Sequence, residues 1–194
     1  MKKIDALFGL IIGEVVSWFL MIIIKSLDQT IPYLWTLPII LPILSVIGLY
    51  VSYLISRKIP VFYQIAKFAL IGFSNAAIDF GVLNLLMWQT GIYKGGFIIV
   101  FNVVAFIVAV INSYSWNKVW TFQSKGGNVK SEFIQFITIA VIGSAINTSI
   151  VYGVSTFVPP IFSPELWVNF AKVLATFFSM VWNFVGYKFI VFKK

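Results

Sequence analysis

Two opposite charges lie deep in otherwise apolar stretches of this 194-residue chain: Asp79 in the segment 63–88, and Lys172 in the segment 166–187. Counting 1.5 Å per residue from Trp88 and Glu165 puts both roughly 10–14 Å below one surface. A charge inside a bilayer costs at least a few kcal/mol unless it is paired or hydrated. A matched pair at one depth therefore has two uses. It locks two parts of a bundle together, or the lysine meets an anionic substrate while the aspartate sets its orientation. A third deep charge, Glu14, lies in the middle of the first apolar segment. The expected state for it is a neutral, protonated carboxyl or one bonded to Ser17 or Ser45.

The densest run of polar chemistry is Asn117-Lys118-Val-Trp120-Thr121-Phe122, which closes an apolar segment with an amide, a cation and an indole. A lysine at headgroup depth suits a phosphate as a point charge, although the same lysine is also an ordinary topological anchor. The chain's end repeats the outline. Lys118 falls on Lys188, Trp120 on Ile190 and Phe122 on Phe192, and upstream Phe68, Gly72 and Asn75 are matched by Phe136, Gly143 and Asn147. A helical hairpin used twice is a transporter pattern, with sites forming where repeats meet. Asn75, Asn112, Asn117, Asn147 and Asn183 stand in these hairpins, as do Asn84, Asn102 and Asn169, and the first two segments hold none. Amides join membrane helices, and they also suit sugar hydroxyls. Trp116, Trp120 and Trp182 offer ring faces nearby or, alternatively, an interfacial belt.

The elements that must carry these residues are membrane helices. Hydrophobic residues make up 60% of the chain and charged residues 10%, with a mean hydropathy of +0.99. Soluble domains are about half apolar and a quarter charged. Six segments reach spanning length: 4–24, 35–56, 63–88, 97–116, 133–157 and 166–187. Pro38 and Pro42 are both expected inside the second span, as a kink. The first segment is too long for a signal peptide and lacks a small-residue cleavage site. Eleven basic residues, Lys67 and Lys118 among them, fall at the ends shared with the N-terminus, against Lys25 and Lys94 at the opposite ends. That asymmetry places both termini in the cytoplasm. The net charge of +8 is thereby a topological signal and a draw for anionic lipid, and nucleic acid is not an expected partner.

Cysteine and histidine are both absent, which removes disulfides, thiolate metal sites and histidine-based acid–base or nucleophilic chemistry. No phosphate-binding loop occurs. No catalytic residue, metal or cofactor is expected, and the chain is not expected to be an enzyme.

Residues 63–194 resemble the GtrA-like family of bacterial membrane proteins, named for O-antigen glucosylation. The resemblance rests on Phe68-Ala-Leu-Ile-Gly72-Phe-Ser-Asn75-Ala-Ala-Ile-Asp79-Phe80 and on Asn117-Lys118-Val-Trp120-Thr121-Phe122. It continues through Phe136, Gly143 and Asn147, then Ala171-Lys172, and Asn183-Phe184 to Phe192. Lys118 and Lys188 stand where arginine is frequent, which keeps the charge and loses a bidentate fork. Tyr187 stands where the second half usually has asparagine.

Composition and run length give an all-α, six-span membrane protein, and the resemblance divides it. A four-helix core of two parallel hairpin repeats (about 63–122 and 133–192) occupies residues 61–194, and residues 1–60 form an added two-helix hairpin. It also implies translocation of polyprenyl-phosphate-linked sugar to the outer leaflet for a surface polymer, with a membrane glycosyltransferase as partner. Asn75, Asp79, Asn112, Asn117, Lys118, Trp120, Asn147, Lys172, Asn183 and Lys188 are the candidate substrate contacts. Two rivals stay open: a non-transporting glycosyltransferase scaffold, and a proton-coupled cation exporter built on Glu14. A homo-oligomer is compatible with a chain this small.

Overall fold

A computed structural model describes residues 1–26, 30–92, 96–124, 128–159, 161 and 164–193, and the described residues form helices and short connections, with no strand among them. The helices are α1 (Lys3–Ser26), α2 (Leu37–Ser56), α3 (Val61–Thr90), α4 (Gly96–Trp116), α5 (Val129–Phe157) and α6 (Pro164–Gly186). Five stretches of described residues are long and apolar enough to cross a membrane: Lys3–Ser26, Leu34–Ser56, Val61–Thr90, Val129–Asn147 and Leu174–Val191. The remaining helix, α4, has 21 residues and no charged side chain. Large apolar side chains stay exposed along whole helix faces; on α2 these include Ile39, Ile43, Ile47 and Tyr50. A face of that kind suits hydrocarbon as its solvent.

Local chemistry explains where the helices stop. Gly91, at φ 69°, ends α3 in the left-handed conformation, and its N–H donates to the Met87 carbonyl, the usual use of glycine after a helix. At α5 the side chain of Asn128 accepts from the backbone N–H groups of Lys130 and Ser131 at 3.1 and 3.3 Å. That cap starts the helix four residues before the expected 133. Pro38 differs from expectation. It lies in the first turn of α2, where its missing N–H has no helical partner to lose, and only Pro42 is interior. A shared feature of α4 and α6 is also new. Each runs on into a five-residue π-helical turn, Asn117–Thr121 after α4 and Tyr187–Val191 after α6. Lysine occupies the second position of both turns.

The chain divides into two compact units, Met1–Thr121 and Phe122–Lys194. In the first, Ile12 of α1, Leu49 of α2, Ile71 of α3 and Trp120 of the π-helical turn form a buried cluster, with Phe8, Tyr63 and Trp116 packed around it. The N-terminal hairpin thus shares a core with the α3–α4 hairpin. Close approach of α1 to α2 depends on Gly13, where an added Cβ would lie 2.7 Å from Pro42 N and 2.9 Å from Leu41 C. In the second unit, Phe136 stacks on Tyr187 with centroids 4.1 Å apart, and Phe122 stacks on Phe192 at 5.1 Å. Gly186 lies against Ile139, and Gly143 leaves room only for the amide of Asn183.

Gly13→Ala forces backbone against backbone, so it is expected to destabilise the fold by about 1–3 kcal/mol. Gly48→Ala is the control: nothing lies within 4 Å of a Cβ there, and it should be neutral or stabilising by up to about 1 kcal/mol. Thermal unfolding of the purified protein in one detergent compares the two.

Candidate functional site

The first unit buries a charge cluster that joins three separate parts of the chain. Asp5 lies in the first turn of α1, Lys67 in the second turn of α3, and Trp120 in the π-helical turn after α4. Their relative exposures are 3%, 5% and 2%, so all three are withdrawn from solvent and lipid. Asp5 and Lys67 form a direct ion pair through Oδ1 and Nζ. The same Oδ1 accepts from the Trp120 indole N–H at 2.8 Å, and Oδ2 accepts from the backbone N–H of Lys2 at 3.2 Å. Aromatic faces complete the shell, with Lys67 Nζ 4.5 Å from the ring centroid of Tyr63 and 5.2 Å from that of Trp120. Beside the cluster, Gln64 donates to the Thr121 carbonyl at 3.2 Å, tying the foot of α3 to the π-helical turn.

Sequence reasoning placed Lys67 among the topological cations at helix ends. Instead it is buried and paired. Asp5 was not singled out at all. A signal was present: Asp5 and Lys67 are opposite charges near the ends of spans that share a membrane face, the logic applied to Asp79 and Lys172. Glu14 does not meet Ser17 through its side chain: a carboxyl oxygen of Glu14 accepts from the Trp18 indole at 3.0 Å, while Ser17 donates to the Glu14 backbone carbonyl at 2.7 Å. It borders an open apolar groove of about 550 Å³ between α1 and α2, lined by Leu10, Val15, Phe19 and Pro42 among others.

A second population is polar, internal and unsatisfied. On α3, Asn75 and Asp79 are one helical turn apart and half-buried, and each has a buried Oδ1 with no hydrogen-bond partner. The Ser74 hydroxyl shares that state. Across α4 and its π-helical turn, Asn112 Nδ2, Asn117 Oδ1 and Thr121 Oγ1 are likewise buried without partners. The Gln64–Thr121 bond fixes the register of the α3–α4 hairpin. Counting about 1.5 Å per residue up both helices from it brings Asn112 to the level of Phe73, about one residue's rise from Ser74. The other end of Asn117 is engaged, with Nδ2 donating to the Ser113 carbonyl at 2.9 Å. Asn84, farther along α3, accepts from Ser26 at 3.1 Å, so it acts as glue between α1 and α3.

The remaining expected residues are placed as follows. Lys118 is half-buried, and its Nζ donates to the Tyr114 hydroxyl at 3.2 Å. Trp120 is enclosed in the core of the first unit and so presents no free ring face for a sugar. In the second unit, Lys188 lies over the rings of Phe184 and Phe189 at 5.6 and 5.5 Å. Asn147 donates to Thr176 at 3.5 Å, and the buried Oδ1 of Asn183 has no partner. Trp182 donates to the Ile139 carbonyl at 3.1 Å, as a helix-to-helix tie. The side chains of Lys172, Asn102 and Asn169 lie outside the described residues, as therefore does the expected Asp79–Lys172 pair.

The family model described as GtrA/DPMS, transmembrane domain, matches residues 67–192. The chain belongs to this family. Of curated relatives, an uncharacterized membrane protein from Bacillus subtilis (strain 168), YngA, is 29% identical over 133 residues, covering 66% of this chain and 78% of the relative. No solved structure matches the chain. This GtrA/DPMS family member is a multi-pass membrane protein with an α1–α2 hairpin ahead of the matched region.

Removing one partner of the buried pair leaves an uncompensated charge, so Lys67→Met and Asp5→Asn are each expected to cost about 3–5 kcal/mol. The double variant should be less destabilised than the sum of the two by more than about 1 kcal/mol. Unfolding of all four proteins under one condition measures the coupling, and strict additivity would show that the charges do not interact.

Proposed function

We propose that this protein moves a polyprenyl-phosphate-linked monosaccharide from the cytoplasmic to the outer leaflet, without hydrolysing ATP. Family membership supplies the class. The observation that carries the reading is the set of buried polar atoms without partners at Ser74, Asn75, Asp79, Asn112, Asn117 and Thr121. An unsatisfied buried donor or acceptor costs about 1–3 kcal/mol. Six of them in one membrane-spanning hairpin are best supported as a path that water or a sugar head fills. A polyprenyl-phosphate sugar has a charged joint between an apolar tail and a polar head. Its tail stays in lipid while its head follows the amides, so a small bundle without a wide pore suffices.

In this reading the termini are cytoplasmic, and Lys118 and Lys188 both end their hairpins on that side to meet the phosphate, with Lys172 meeting it deeper in the membrane toward the outer face. Asn75, Asn112, Asn117, Asn147 and Asn183 then select the sugar. The lipid-linked sugar is made by a membrane glycosyltransferase and consumed by a second transferase at the outer face.

The test is transfer of polyprenyl-phosphate sugars in proteoliposomes containing the purified chain and no nucleotide. Lys118→Ala and Lys188→Ala are expected to slow every sugar about tenfold or more, as loss of one charge-assisted contact of roughly 1.5–3 kcal/mol implies. Asn75→Leu and Asn112→Leu should instead change the ratio between two sugars. Transfer no faster than in protein-free vesicles would refute translocation and favour a scaffold for the glycosyltransferase.

A further inference from the structure

We propose that Lys67, Trp120 and Tyr63 form a recognition site for a lipid-borne phosphate, and that Asp5 is a tethered anion occupying it until the phosphate displaces it. The inference rests on the translocation reading for the identity of the lipid, but not for the existence of the site.

Four observations converge. The donors focus on one point: Lys67 Nζ and the Trp120 indole N–H both meet Asp5 Oδ1. Donor capacity is left over, because an ammonium has three N–H bonds and that of Lys67 makes one hydrogen bond, its other contacts being the rings of Tyr63 and Trp120. The Tyr63 hydroxyl is buried beside the Asp5 carboxylate and interacts with it, short of a well-formed hydrogen bond. A carboxylate offers two oxygens in one plane, whereas a phosphate monoester such as polyprenyl phosphate offers three non-bridging oxygens in a tetrahedral array. It can satisfy donors that Asp5 leaves idle.

The occupant also comes from elsewhere in the chain. Lys67 and Trp120 lie within the matched family region 67–192, whereas Asp5 precedes it on the added hairpin. Two of the donors, Lys67 and Trp120, belong to the matched region, Tyr63 lies just ahead of it, and the first helix brings the anion. Finally, the cluster sits at the right depth. It gathers the start of α1, the start of α3 and the end of the α4 π-helical turn, the ends that would meet the headgroup layer of one leaflet. Asp5 is in the first turn of its helix, so its release opens only that turn, and the incoming phosphate replaces the charge withdrawn from Lys67.

The experiment is phosphate-dependent thermal stabilisation of the purified full chain in zwitterionic lipid nanodiscs. The probes are a polyprenyl phosphate, the matching uncharged polyprenol and inorganic phosphate. Asp5→Asn removes the internal competitor and leaves Lys67 without an anion. It is expected to melt below the parent and to be restored by polyprenyl phosphate, with an apparent affinity at least about tenfold tighter than the parent's. The polyprenol should do nothing. The charge-neutral double variant Asp5→Asn/Lys67→Gln should lose the phosphate-dependent shift, which keeps the test decisive if Asp5→Asn alone does not fold. An Asp5→Asn protein stabilised no more than the parent means that Asp5 is a structural staple and overturns the proposal. So does a double variant that binds polyprenyl phosphate as the parent does. A shift with inorganic phosphate and none with the lipid overturns the lipid-borne assignment. Binding is read here without translocation, so a chain that binds the lipid but does not move it sinks the translocation reading and leaves this site standing.

Discussion

A lysine ammonium withdrawn from water in a membrane protein has to be met by a negative charge, and in this chain Asp5 meets Lys67. Desolvating either ion alone costs several kcal/mol, and the attraction between them in a low-dielectric interior offsets that only when geometry is close and the remaining donors are used. Trp120 and the Lys2 backbone N–H satisfy the carboxylate further, while the aromatic faces of Tyr63 and Trp120 meet the cation. The arrangement has one structural consequence above others. It requires α1, α3 and the π-helical turn after α4 to converge at one end of the first unit, and it sets their register there. The buried cluster of Ile12, Leu49, Ile71 and Trp120 then packs behind the ion pair.

From that fixed end, the α3–α4 hairpin rises with buried polar atoms of Ser74, Asn75, Asp79 and Asn112 left unsatisfied. In water such atoms would be hydrated and unremarked. In a bilayer each is a cost that a well-packed helix pair avoids, and leucine would serve packing better at Asn75 or Asn112. The π-helical turns contribute by widening the backbone where the hairpins end. An inserted residue in a helix shifts the following side chains to a new face. After α4 it presents both Asn117 and Trp120 inward, buried at 1% and 2% exposure. After α6 the same turn buries Tyr187 and Val191 and leaves Phe189 and Ile190 exposed. The two endings, similar in outline, are thus unlike in chemistry, since an indole that holds a carboxylate in one corresponds to an isoleucine facing outward in the other.

Much of the fold was legible because its signals are long. Apolar runs of spanning length located the six helices of the described residues, with α3 ending at Thr90, two residues past the expected 88. The start of α5 was missed because Asn128 was read as part of a polar loop, although an asparagine followed four residues later by Glu132 is an ordinary way to begin a helix. The π-helical turns were not legible, since nothing in Asn117-Lys118-Val-Trp120-Thr121 distinguishes an inserted residue from a span simply ending. The charge cluster was the larger loss. Single charges at span ends look like topology, and only the crossing of α1 with α3 shows that Asp5 and Lys67 turn toward each other. The individual surroundings of the asparagines needed the structure: Asn84 bonds to Ser26, whereas Asn75 Oδ1 and Asn112 Nδ2 are buried without partners.

The most direct measurement of the account's central claim is a carbon–nitrogen distance between aspartate carboxyl and lysine ammonium groups, by solid-state NMR on the labelled protein in lipid bilayers. The buried pair predicts a strong dipolar coupling of direct-contact strength, lost in Lys67→Gln and retained when Asp79 is replaced by asparagine. No such coupling in the parent protein, or one that survives Lys67→Gln, would contradict it.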